Sequence, residues 1–191
     1  MKLCFATQNL HKLKEIQALL PNHFDLITPD EFGCTEELPE TANTLEGNSK
    51  QKAEYIYKNY KVNCFADDTG LEVLALKGEP GVFSARYAGP QRKAEDNMDL
   101  LLAKLNGKVM RNARFRTIIT LILDGKTETF EGVLEGTIID SKRGSDGFGY
   151  DPIFIPHGQN KTLAEMTIAE KNRISHRANA FAKLKNHLEA L

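Results

Sequence analysis

Apolar positions along the chain fall into a few short runs, separated by stretches in which they recur at helical spacing. Leu3 to Ala6 is an apolar run that turns polar at Thr7-Gln8-Asn9, and Leu10, Leu13, Ile16, Leu19 and Leu20 then follow at helical spacing until Pro21. The pattern predicts strand, tight turn, helix. Phe24, Leu26 and Ile27 form a second short apolar stretch, followed by an acidic, Pro-containing loop to residue 43. Thr44 to Tyr60 reads as a helix, with Leu45, Asn48, Ala53, Ile56, Tyr57 and Tyr60 near one side. Val62 to Ala66 reads as a buried strand broken by Asp67-Asp68-Thr69-Gly70. Ala94 to Leu105 is a further amphipathic helix closed by Asn106-Gly107. Two β-rich runs, Ala113 to Leu123 and Thr127 to Ile139, are joined through Asp124-Gly125, a strong hairpin signal. A Gly-rich loop from Gly144 to Gly149, the run Pro152 to Ile155 and a mostly helical segment from Leu163 onward complete the chain. Helices and strands alternate around a central hairpin, which predicts an α/β fold with a mixed sheet.

Composition narrows the function. At 191 residues, 41% hydrophobic and 27% charged, the chain can bury one core, or two lobes sharing a sheet, without disulfides or structural metal, so one domain over 1–191 is expected. Lys and Arg total 25 against 26 Asp and Glu, a net charge of -1, which leaves no overall basic field to hold a nucleic-acid polymer. Small anions remain within reach of local charges. Cys4, Cys34 and Cys64 form no C-x-x-C pair and have no zinc-like His spacing, so reduced thiols in the cytoplasm are expected. The first apolar run is too short for a signal peptide, and no run approaches membrane-spanning length; neither export nor membrane insertion is expected.

Four patches carry candidate chemistry. In Thr7-Gln8-Asn9-Leu10-His11-Lys12, basic side chains sit at the start of a helix, where they oppose the macrodipole. A bound phosphate would reverse that penalty by meeting free backbone N–H groups and the Thr7 and Asn9 side chains; the alternative is Asn9 as an ordinary N-cap with solvated lysines. Asp67-Asp68-Thr69-Gly70 lies where a strand ends, a place for a Mg²⁺-binding carboxylate, with Asp68 preferred, or for a plain turn. Strand pleating would let only one of the two aspartates address a site. Gly144 to Pro152 matches neither the dinucleotide nor the Walker glycine order. It does hold Phe148 between glycines, where a flat ligand can approach, with Asp151 able to accept from ring N–H groups. In Lys171-Asn172-Arg173-Ile174-Ser175-His176-Arg177, Ser175 is a good N-cap, while His176 and Arg177 place donors at a second helix start. Together the two cationic helix openings predict an anionic guest with a flat heterocycle.

Six strings in order resemble one family, the inosine/xanthosine triphosphate pyrophosphatases, also called Ham1-like. They are Thr7-x-Asn9-x-x-Lys12-x-x-Glu15, Asn48-x-x-x-Lys52-Ala53, Ala66-Asp67-Asp68-Thr69-Gly70-Leu71, Pro80-Gly81-Val82-Phe83-Ser84-Ala85-Arg86-Tyr87, Gly147-Phe148-Gly149-Tyr150-Asp151-Pro152 and Lys171-x-x-x-Ser175-His176-Arg177. The resemblance implies an elongated, two-lobed α/β fold with a long mixed central sheet flanked by helices and the active-site cleft between the lobes. It also implies a homodimer and Mg²⁺-dependent hydrolysis of ITP, dITP, XTP and dXTP to the monophosphate and pyrophosphate, cleansing the nucleotide pool. Carried over residue by residue, Thr7, Gln8, Asn9, Leu10, His11, Lys12 and Lys52 would hold the triphosphate, and Asp68 would bind metal and accept a proton. Thr69 would touch substrate, Phe148 would stack on the purine, and Gly149, Tyr150, Asp151, Lys171, His176 and Arg177 would recognise the base. Arg86 receives no role. The family's acidic residue before Asn48 is replaced by Gly47, with Glu46 one place earlier, so Glu40 is the first choice for the second metal carboxylate and Glu46 the second.

Two rival functions follow from the same residues. One is a nucleotide-binding module without turnover; the other is a related pyrophosphatase for ordinary or methylated pyrimidine triphosphates. Asp68 beside a candidate phosphate cradle argues against the first. No Cys or Ser stands near a plausible base, which disfavours a covalent route.

Overall fold

The computed structural model describes residues 2–20 and 24–190. β1 (Lys2–Phe5) leads into α1 (Leu10–Gln17), and β2 (Asp25–Ile27) is followed by a short 3₁₀ turn at Pro29–Phe32. α1 closes a turn earlier than its leucine spacing predicts; Pro21, expected to end it, lies outside the described residues. α2 (Leu45–Tyr60) begins where the sequence places it, because the Thr44 hydroxyl accepts from Gly47 N at 3.0 Å. After β3 (Cys64–Val73), the two-residue strand β4 (Pro80–Gly81) and α3 (Ala94–Lys104) come β5 (Asn112–Leu123) and β6 (Lys126–Ile138), joined through Asp124-Gly125. The run expected at Pro152 to Ile155 divides into a 3₁₀ turn at Asp151–Ile153 and β7 (Phe154–Pro156). α4 (Ile168–Asn172) and α5 (His176–Glu189) follow.

The strands form one seven-stranded sheet in the order β2-β1-β3-β5-β6-β7, with β4 on β3. β1 pairs in parallel with β2 and β3, while β3–β4 and β6–β7 are antiparallel, so the sheet is mixed. The α/β architecture with a mixed sheet and flanking helices is thus the one the alternation of elements predicts. β3 corrects one expectation. Asp67-Asp68-Thr69-Gly70 does not break the strand, which continues to Val73. Asp and Gly disfavour strands locally, but here both aspartate side chains find buried polar partners, and tertiary contacts override the propensity.

The chain divides into two compact units. The first comprises residues 1–68, 117–132 and 177–191, and the second residues 69–116 and 133–176. In the first unit, the pleat sorts side chains of β1 and β3 between two clusters. Leu3, Phe5 and Phe65 pack with Ile16 of α1 and Phe181 and Leu184 of α5, and the Phe5 and Phe65 rings stack at 4.6 Å. Cys4, Ala6, Cys64 and Ala66 pack instead with Ala53 and Ile56 of α2. All three cysteines are buried and unbridged in this second cluster, consistent with the reduced thiols expected. The second unit has its own core, built from Leu71 and Val73 of β3, Met98 and Leu101 of α3, Phe115 of β5, Phe154 of β7, and Leu163 and Met166. No helix among the described residues is long and apolar enough to cross a membrane.

Gly136 of β6 faces Pro156 of β7 in register. A Cβ there would lie 2.5 Å from Phe154 Cζ and collide with the Ile155 carbonyl. Overpacking of this kind costs about 1–3 kcal/mol. Gly136→Ala is therefore expected to lower the urea midpoint without changing the slope of the transition, and an unchanged midpoint would show that β7 has room to move.

Candidate active site

β3 presents adjacent carboxylates to opposite faces of the sheet, as its pleat requires. Asp67 follows the parity of Phe65, toward α1 and α5, and accepts Lys12 Nζ on Oδ1 at 2.9 Å and Arg177 Nε on Oδ2 at 3.2 Å. Arg177 Nη1 donates to Glu15 Oε2, and Lys12 and Glu15 lie three positions apart on α1. The result is a buried chain of alternating charge, Lys12–Asp67–Arg177–Glu15, in which Arg177 is 1% exposed. Burial alone would raise the Asp67 carboxyl, but Lys12, Arg177 and Lys52 outweigh it and hold the group well below the usual carboxylate range. Burial pulls the Lys12 ammonium below its usual value, Asp67 only partly restoring it.

Asp68 follows the opposite parity, toward α2. Its Oδ2 accepts from Asn48 Nδ2 at 3.0 Å, and the other end of the same amide accepts from Ala42 N at 2.9 Å. Burial pushes the Asp68 carboxyl above its ordinary value; Lys52 and Lys12 pull it down, and the charge of Glu40 adds to the rise. Lys52 Nζ, 5% exposed as a residue, donates to Glu40 Oε1. Burial would raise Glu40 as well, but Lys52 and then Lys12 bring it below the usual range. Glu46 lies in the exposed first turn of α2. Glu40, one of the two carboxylates weighed for the second metal position, is electrostatically coupled to Asp68.

Among the described residues, no group of three or more His, Cys, Asp or Glu side chains forms a ready-made metal cage. Two mutually repelling carboxylates are nonetheless a fitting donor set for Mg²⁺, which takes hard oxygen ligands, keeps several waters and completes its shell with substrate phosphate.

The loop before α1 is exposed and ordered by its own polar groups. Asn9 Oδ1 accepts from His11 N at 3.0 Å and Lys12 N at 3.2 Å, while Thr7 Oγ1 accepts from Asn9 N at 3.1 Å. Asn9 is therefore an N-cap, as the second of the two readings expects, but Lys12 is paired with Asp67 rather than solvated. Gln8 Nε2 donates to the Glu36 carbonyl at 2.9 Å, and Leu10 is 69% exposed. Of the basic side chains at the two helix starts, Lys12 and Arg177 are each paired with internal carboxylates, Lys12 with Asp67 and Arg177 with Asp67 and Glu15.

In the second unit, Asp151 organises the glycine-rich loop. Its Oδ2 accepts from Phe148 N at 3.0 Å and from Lys171 Nζ at 2.6 Å, with both charged side chains 4% exposed. Gly147 is required by this close approach: a Cβ there would collide with the Asp151 carboxylate, and its φ of +76° disfavours other residues. The Lys171 ammonium also lies 5.0 Å from the centroid of the Phe148 ring, a cation–π contact. Tyr150 is buried, and its hydroxyl donates to the Ser84 carbonyl at 2.8 Å. Burial pushes that phenol upward. Gly149 adopts a φ of +63°, and Thr69 follows Asp68 in β3. His176, 3% exposed, opens α5 with its ring stacked on Phe115. Glu15 and Asn48 stand in the quoted strings without a role, and only their distant partners reveal one. Phe115 gives no signal beyond its place in an alternating β-rich run.

These features define an α/β protein with a mixed sheet, a charged site centred on adjacent strand carboxylates, and a second cluster in which a lysine, a carboxylate and an aromatic ring meet. Residues 3–187 match the model of the Ham1 family, and the chain belongs to that family. It is 51% identical to a Flavobacterium psychrophilum protein named dITP/XTP pyrophosphatase, over 94% of this chain and 95% of that one. A Bacillus subtilis strain 168 protein of the same name is 47% identical, with 97% and 96% covered. Among solved structures, the Staphylococcus aureus Ham1 protein superposes with a TM-score of 0.90 at 38% identity, covering 100% of this chain and 99% of that one. A HAM1 protein from Coxiella burnetii gives 0.92 at 36%, with both chains fully covered at 100%.

Removing the guanidinium from the buried charge chain would strand two carboxylates. Arg177→Met is expected to cost about 3–5 kcal/mol in urea-denaturation free energy. A loss below about 1 kcal/mol would mean that water or another donor replaces it.

Proposed function

We propose that this chain is a Mg²⁺-dependent dITP/XTP pyrophosphatase, adding water across the α–β anhydride of non-canonical purine nucleoside triphosphates to give the monophosphate and pyrophosphate. The observation that carries the reading is the pair of neighbouring carboxylates driven in opposite directions. Asp67 is held ionised by buried cations, while Asp68 is pushed up and set beside Lys52 and Glu40. Such a split separates a structural anion from a proton acceptor. The names of the close relatives point the same way.

Thr7, Gln8, Asn9, Leu10, His11, Lys12 and Lys52 are assigned to the triphosphate, where the start of α1 and the two lysines supply positive potential. Asp68 and Glu40 would hold Mg²⁺, which when bound neutralises phosphate charge and acidifies water. Asp68, steadied by Asn48, takes the proton of the attacking water. Thr69 contacts the substrate beside it.

Phe148 stacks on the purine, with Gly149 and Tyr150 shaping the approach. Hypoxanthine and xanthine carry a 6-oxo acceptor beside an N1–H donor, and adenine reverses both. Donation to O6 by His176 and acceptance of a ring proton by Asp151 would leave buried groups unpaired against adenine. Lys171, which donates to Asp151, is the candidate donor near C2, where it would favour the xanthine carbonyl and repel the guanine amino group. A contact of Arg177 with the base would fall to guanidinium N–H groups other than those on Asp67 and Glu15. A cytoplasmic homodimer is the working form in this proposal.

Incubation with Mg²⁺ and a panel of triphosphates tests the reading. Equal amounts of nucleoside monophosphate and pyrophosphate are expected from dITP and XTP, with kcat/KM exceeding that for dATP by about 10³-fold or more. Tight dITP binding without pyrophosphate would instead identify a binding module, and preference for dTTP a pyrimidine enzyme.

A further inference from the structure

We propose that Phe115 is a positioning residue for base selection, holding the His176 imidazole at the one tilt from which it reaches a 6-oxo group. The inference rests on the assignment of His176 to the base made above. Phe115 lies on β5, 6% exposed, with its ring centroid 4.6 Å from that of His176 and the two planes 16° apart. On its own account Phe115 is immobilised: the Phe154 ring meets it at 4.7 Å with a 54° tilt, and both belong to the core that includes Tyr150, Ile153 and Met166. Tyr150 in turn is the neighbour of Asp151 and is fastened to Ser84 by its hydroxyl. Tyr150, a member of that core, and His176, stacked on Phe115, are thus held by the same group of buried rings.

A flat stack does something a merely filled space does not. It covers one face of the imidazole and resists rotation of the ring about its bond to Cβ, since any tilt must displace an aromatic plane locked by its own neighbours. Ring N–H groups lie in the imidazole plane, so fixing the plane fixes the donor direction. Hydrogen bonds weaken steeply as the donor angle falls toward about 120°, so a loosened ring weakens exactly the contact that separates a 6-oxo purine from adenine. Adenine offers no acceptor at that position and loses nothing when the donor swings away. Phe115 therefore contributes to discrimination between bases and much less to turnover of the triphosphate.

The readout is the ratio of kcat/KM for dITP to that for dATP, in which the fraction of folded, active enzyme cancels. Phe115→Leu removes the flat surface and is expected to lower the ratio about tenfold or more, mainly through a higher KM for dITP, whereas Phe115→Tyr keeps the ring and should hold the ratio within twofold. Should the leucine variant not fold, Phe115→Met, closer in volume, carries the same expectation. A ratio within twofold of the parent in the aliphatic variants, or an equal fall in the tyrosine variant, would overturn the proposal. A parent enzyme with no preference for dITP over dATP would overturn the assigned function itself, and this inference with it.

Discussion

A single buried carboxylate, that of Asp67, ties together the elements around it. It sits within the sheet with Lys12 of α1 on one oxygen and Arg177 of α5 on the other, and Glu15 closes the far side of the guanidinium. Each ion would be costly alone in such a place. Together they fix where α1 and α5 meet β3, and therefore where the exposed, Asn9-capped start of α1 stands. The price of removing any one partner is a stranded charge, so the arrangement behaves as a unit.

The pleat of β3 carries that constraint to the next residue. Because neighbours on a strand face opposite sides, holding Asp67 toward α1 and α5 delivers Asp68 toward α2, into the company of Asn48, Lys52 and Glu40. One aspartate is saturated by cations and the other raised by burial. Two chemically identical side chains thus acquire opposite protonation tendencies through their surroundings. In the second unit Lys171 and Asp151 pair in isolation from water beside the Phe148 ring, and the His176 ring stacks on Phe115.

Much of the fold was legible in the sequence where local signals decide it. The helix from Thr44 to Tyr60, the Asp124-Gly125 hairpin and the leucine spacing of α3 depend on neighbours within a few residues, and each reappears in the structure. Asp67-Asp68-Thr69-Gly70 misled because local propensity favours a turn, whereas the partners that keep it in a strand lie far away; Asp67 and Arg177 are separated by 110 positions. The same distance hid the meaning of Glu15, 162 positions from Arg177. Basic residues at helix starts oppose the macrodipole, and for Lys12 and Arg177 the shared partner is Asp67, which lies far from both in the sequence. Phe115 was invisible for another reason. A ring that packs against the His176 imidazole looks in sequence like any other core residue.

The account's central claim is that adjacent aspartates on β3 do opposite work, one structural and one chemical, and the most direct measurement compares their isosteric amides. Asp67→Asn should lose about 3–5 kcal/mol of unfolding free energy, as expected when a buried ion network loses one member. Asp68→Asn should unfold no more easily than the parent, since its carboxylate is disfavoured by burial, while hydrolysis of dITP disappears. Equal destabilisation by the two amides, or near-normal turnover with Asn at position 68, would contradict the account.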